Sequence, residues 1–130
     1  MSLKDEYTLS DAIKGQLIKW EKEWCQVIEV TTCPQEKILW QGKIEAIRRA
    51  IVSLSECVDN HEWQHDSLPK LVNKLYDLEL KVEVEQQLTV KQRQNEKIVF
   101  NQGLLEGIRQ MRLFVLALKY PMVSAKNKKQ

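Results

Sequence analysis

Apolar side chains return at alternating intervals of four and three residues along most of this chain, the period of one face of an α-helix. Ile13, Leu17, Trp20, Trp24 and Val27 make one ladder, and Trp40, Ile44, Ile47, Ile51, Leu54 and Val58 make the next. Leu71, Leu75, Leu78 and Val82 follow, and Leu104, Ile108, Met111, Val115, Leu118 and Met122 complete the series. Isolated helices of this kind are marginal in water, so each stripe requires another helix to cover it.

Start and stop signals divide the ladders into four elements. Thr8 with Asp11 three residues on resembles a capping box, which predicts a first helix from near Leu9 to near Val30. After "TTCP", Pro34 suits the first turn of a second helix, where its missing N–H costs nothing. That helix runs for about 24 residues, on the order of 36 Å, and so short a connection makes the pair an antiparallel hairpin. The polar stretch "DNHEWQHDS" then interrupts the pattern, and Ser67 is placed to cap a third helix with Pro69 in its first turn. Within it "LELKVEVE" (78–85) alternates with the period of a strand, yet no Gly or Asn turn beside it offers the hairpin a strand would need. Read as helix, Leu80, Val84 and Leu88 form a second stripe at intervals of four, and helix is the expectation. The run "KQRQNEK" (91–97) fits an exposed continuation or a junction equally well. The last helix stops before Pro121, which leaves Met122 outside it and 121–130 as a flexible basic tail. The expected fold is all-α, four helices as two antiparallel hairpins in a coiled-coil-like bundle, with one domain over 1–120.

Charge narrows the partners. The net charge of +2 includes Lys126, Lys128 and Lys129, so residues 1–125 carry 17 basic against 18 acidic side chains. A near-neutral body lacks the basic patch that duplex nucleic acid demands, and contacts of the tail with nucleic acid would be weak and salt-sensitive. No run of 18 apolar residues occurs, and "MSLKDEYTLSD" lacks a secretory apolar core; the chain reads as soluble and cytoplasmic, with no membrane partner. Cys25, Cys33 and Cys57 are an odd number without a C-x-x-C pair, which favours reduced thiols.

Helices two and four echo one another: "QGKIEAIRRA" (41–50) and "QGLLEGIRQM" (102–111) share Gln, Gly, Glu, Ile and Arg in register. A glycine inside a helix costs about 1 kcal/mol relative to alanine, so a compensating contact is expected. Gly42 with Ala46, and Gly103 with Gly107, are small residues four apart that allow another helix backbone to approach closely. They are the candidate interface residues, with Arg48 and Arg109 at its polar rim. On helix surfaces Arg48, Arg49, Arg109 and Arg112 have Glu45 and Glu106 as partners. The two runs, Gln41 to Arg48 and Gln102 to Arg109, resemble the Q-G-x-x-x-x-x-R runs of short helical proteins encoded among the virion and packaging genes of tailed bacteriophages. That resemblance implies a small structural or assembly component, located in a virion if phage-encoded, and no chemistry.

One stretch does resemble an enzyme motif. "HEWQH" (61–65) matches H-E-x-x-H, in which two histidines bind zinc and the glutamate activates the metal-bound water. It would make His61 and His65 ligands and Glu62 the base. Asp59 and Asp66 flank the motif where an apolar helix is needed, Ser67 and Pro69 end any helix within a turn, and no third histidine exists, leaving Glu79, Glu83 or Glu85 as ligands. A structural zinc on Cys57, His61 and His65, spaced four apart, would need Asp66 or Cys33 as a fourth ligand. The simpler reading is a solvated loop with Trp63 folded onto the core, while Trp20, Trp24 and Trp40 belong to the apolar stripes. Nucleophile elbows and phosphate-cradling loops are missing from the sequence. The expectation is a non-catalytic interaction or assembly protein, without cofactor, that self-associates or joins a larger assembly. Its alternative is a small zinc protein or metallopeptidase.

Overall fold

Where the ladders and helix-forming residues coincide, the chain is helical. The structure, a computed structural model, describes residues 3–57 and 67–119, with side chains described from Leu9 to Cys57 and from Ser67 to Leu118. It comprises α1 (Leu3–Val30), α2 (Pro34–Cys57), α3 (Ser67–Lys91) and α4 (Asn95–Lys119). The "HEWQH" motif, Trp63, Val58, Met122 and the lysine tail lie outside the described residues. Helix α1 begins at Leu3, not near Leu9, so Thr8 and Asp11 sit inside it. Leucine, lysine and glutamate upstream are strong helix formers, and propensity extends the helix past a pattern that resembled a cap.

Helix α3 runs without interruption through 78–85, and no strand occurs among the described residues. Alternate residues of a helix lie on opposite sides of it, so the alternation there splits its apolar residues: Val82 is buried while Leu80 and Val84 are exposed. The core draws on all four helices, with Ile13, Leu17, Ile47, Leu71, Leu75, Leu104, Ile108 and Met111 fully buried.

The α1–α2 and α3–α4 pairs are each antiparallel: Trp24 meets Trp40 while Arg48 reaches back to Glu21, and Arg109 meets Glu79 while Gln86 bonds to Ile98. Helices α2 and α4 run parallel, because Leu39 faces Gly103 and Lys43 faces Gly107. Their backbones touch. A Cβ placed on Gly42 would lie 2.9 Å from Leu104 N and closer still to Phe100 O, and one on Gly103 would lie 2.8 Å from the Leu39 carbonyl carbon, with its oxygen nearer. Gly107 packs on Ala46, whose Cβ would be 2.7 Å away. The echo therefore has a physical cause: small residues at matching turns of two parallel helices let each backbone lie on the other.

The two hairpins match in register. Helix α2 begins at Pro34 and α4 at Asn95, α1 ends at Val30 and α3 at Lys91, both pairs offset as Gly42 is from Gly103. Gly42 meets Phe100, and Gly103 meets Leu39, the residue at the equivalent position. The hairpins are thus related by an approximate two-fold axis between α2 and α4.

The ambiguous run 91–97 forms a junction. Gln94 N donates to Thr89 O and Arg93 N to Val90 O, the bond pair of a Schellman motif, with Arg93 at φ 57° in the left-handed position that glycine usually fills. A residue with a Cβ costs about 1 kcal/mol there, so Arg93→Gly should raise unfolding free energy by roughly that amount in urea denaturation. The glycines give an opposed pair of expectations. Gly42→Ala and Gly103→Ala should each lower stability by about 1–3 kcal/mol through overpacking against backbone. Gly15→Ala, with nothing within 4 Å of the added carbon, should raise it by about 0.5–1 kcal/mol. Equal responses at all three sites in thermal denaturation would contradict the crossing.

Candidate protein-interaction surface

The small residues singled out in the sequence meet one another inside the chain. Gly42, Ala46, Gly103 and Gly107 are all buried at the α2–α4 crossing, while Arg48 and Arg109 stand exposed on different helices. Arg48 pairs with Glu21 of α1 at 3.8 Å, and Arg109 with Glu79 and Glu83 of α3. Of the pairings expected on helix surfaces, Arg49 with Glu45 forms at 3.3 Å, whereas Glu106 pairs with Lys43 across the α2–α4 seam at 3.8 Å. Arginine side chains are long enough to reach a neighbouring helix, and packing brings closer carboxylates than their own helix supplies.

Glu79 is the charged group that the apolar pattern concealed. It falls on the buried side of α3, its side chain only 8% exposed, and accepts from Arg109 Nε at one oxygen and Arg112 Nε at the other, both at 2.8 Å. Arg109 also donates to Glu83 at 2.7 Å, and Arg112 stacks over Tyr76 with 5.6 Å to the ring centroid. The bonds to Glu79, then Glu83, raise the Arg109 pKa further above its ordinary value. The cluster fastens α3 to α4 and engages both carboxylate oxygens of Glu79. The detectable signal was the spacing Leu71, Leu75, Glu79, Val82, which puts a carboxylate at a core position. Glu79→Ala should cost about 2 kcal/mol in chemical denaturation, since two charged hydrogen bonds are lost and Arg112 loses its carboxylate partner, while Arg109 keeps Glu83. An unchanged midpoint would show the cluster to be energetically neutral.

Three tryptophans cluster on the first hairpin. Trp24 is buried, Trp20 stacks on it at 6.0 Å and meets Phe114 edge-on at 5.4 Å, and Trp40 packs edge-on against Trp24 at 5.9 Å. Lys43 Nζ lies 4.3 Å from the centroid of Trp40, so its charge is held by the ring face as well as by Glu106. The three rings are structural, sealing α1 onto α2 and α4.

Two further features bear on chemistry. A cleft of about 410 Å³ opens between α2 and α3, lined among others by Glu45, Arg49, Glu56 and Lys74. Arg49–Glu45 and Lys74–Glu56, the latter at 2.7 Å, are paired within the cleft, whose lining also includes Arg48, Asp77 and Lys81. Burial pushes the Cys57 thiol above its ordinary pKa, with Glu56 adding to it and Lys74 and Lys70 opposing. Ser67 Oγ donates to the Cys57 carbonyl at 3.2 Å, tying the end of α2 to the start of α3. Among the described residues, no group of three His, Cys, Asp or Glu converges on a metal position, and no helix is long and apolar enough to cross a membrane.

Among the described residues, large apolar side chains are exposed on every helix, Val30, Val52 and Leu113 among them, and three of them share one face of α3. Leu80, Val84 and Leu88 are 42%, 68% and 55% exposed, and Asp77 and Lys91 flank them on the same side of the helix. This is the second stripe visible in the sequence, turned away from Leu71, Leu75 and Val82. Protein-family models, curated protein sequences and solved structures were all compared with the chain, and none matches.

Proposed function

We propose that this chain is a non-catalytic helical interaction or assembly protein that works through helix–helix contacts. The observation that carries this reading is the exposed Leu80–Val84–Leu88 stripe on α3. Three aliphatic side chains a turn apart on one rigid helix face supply the spacing a partner helix packs into. The supporting scaffold suits the role. Backbone contact at the α2–α4 crossing and the Glu79 cluster hold α3 in place, so a partner meets a preformed face and little ordering entropy opposes binding. The Q-G runs at 41–48 and 102–109 extend the proposal to a component of a phage virion.

A photo-crosslinking amino acid placed at Val84 in the native cells tests the reading. It should yield covalent adducts with protein, identified by mass spectrometry, that are not formed from the exposed positions Lys22 or Gln110. No adduct from position 84, or the same adducts from all three positions, would overturn it.

A further inference from the structure

We infer that the outer face of α3 is a dimerisation surface on which a second copy of this chain lays its own α3 antiparallel, with Val84 on the two-fold axis. The inference rests on the interaction reading above and names the partner. The order of side chains on that face carries it. Asp77, Leu80, Val84, Leu88 and Lys91 lie on one side of α3, within about 40° of a common direction at 100° per residue, nearly opposite the buried Leu75 and Val82. Leu80, Val84 and Leu88 stand outside the α2–α3 cleft, and Asp77 lies at its border, on the edge of this face.

The face is self-complementary in one orientation. Antiparallel pairing about Val84 sets Leu80 of each copy against Leu88 of the other and Asp77 of each against Lys91 of the other, while Lys81 faces the neutral Gln87. Two Leu80–Leu88 pairs, one Val84–Val84 pair and two opposite-charge pairs result, symmetric as an isologous contact requires. Parallel pairing would instead set Asp77 against Asp77 and Lys91 against Lys91, which repels at both ends. Asp77 and Lys91 are exposed; Asp77 acts electrostatically on Lys74 without forming an ion pair with it. The stretch between them spans roughly 21 Å of helix. One helix face of that length covers less than the ~800 Å² per partner of a standard interface, so the dimer should be weak and exchange freely at micromolar concentrations.

Sedimentation equilibrium of the full chain over a concentration series at low and moderate salt provides the test. The wild type should show a monomer–dimer equilibrium weakened by salt. Val84→Glu should weaken it at least tenfold, and Asp77→Lys or Lys91→Asp several-fold, with melting temperatures held because all three side chains lie off the core. The double variant D77K/K91D, which reverses both charges, should recover most of the wild-type affinity. A wild type monomeric to millimolar concentration would overturn the inference, as would a V84E variant that still dimerises or a double variant no tighter than the single ones. Should the chain be monomeric while position 84 still crosslinks to a different protein, the self-association falls and the interaction reading stands.

Discussion

Contact between the α2 and α4 backbones at Gly42, Gly103 and Gly107 sets the spacing of the other two helices. Most helix pairs are held 8–10 Å apart by the side chains between them. Where glycine replaces a side chain on both helices at once, the axes come closer and grooves open on each side of the pair. Helix α1 fills one groove with Ile13, Leu17 and Trp24, and α3 fills the other with Leu71, Leu75 and Val82. The helix-propensity cost of three internal glycines is thus offset by dispersion contacts between main chains and by the depth of burial the flanking helices gain.

The approximate two-fold relation between the hairpins holds in the backbone and breaks in the side chains. Trp40 of the first hairpin stands where the second has Asn101, which is buried and donates to Thr89 Oγ1 at 3.5 Å; Thr89 in turn donates to Glu85 O. Nearby, Gln86 donates to the Ile98 carbonyl at 2.9 Å, while its own side-chain oxygen is buried without a partner. One hairpin is therefore closed by aromatic rings and the other by the side-chain hydrogen bonds of Asn101 and Gln86. Polar groups in a packed interior specify register more strictly than apolar ones, because a slip leaves them unsatisfied. That asymmetry assigns each half of the chain its own partner helix although the glycine turns are alike.

Charge follows the same division between packing and surface. Glu79 and its two arginines are held between α3 and α4, whereas Asp77 and Lys91, on the other side of the same helix, are left to solvent or to a partner. One helix thus has an inner face that belongs to the fold and an outer face that is exposed. The stripe Leu80–Val84–Leu88 on that outer face is apolar at a place where solubility alone would favour polar residues.

The apolar period, the proline and serine boundary signals and the echoed glycines by themselves determined that the chain is helical, where α2 and α3 begin and that some helix backbone must approach at Gly42 and Gly103. All of these act within a few residues, so they are legible without the fold. The beginning of α1 was misread because a local pattern like a capping box does not stop a helix that its upstream residues continue. Three matters needed the tertiary structure. The glycines meet each other within one chain, in parallel, because only the packed bundle shows which helix fills which groove. Glu79 goes inside because Arg109 and Arg112, some thirty residues away, arrive on α4 to satisfy both of its oxygens. Of the two stripes on α3, the one containing Leu71 and Val82 is covered and the one containing Val84 is not. A helical period records that a face is apolar, and only the arrangement of the other three helices decides whether that face is covered or left exposed.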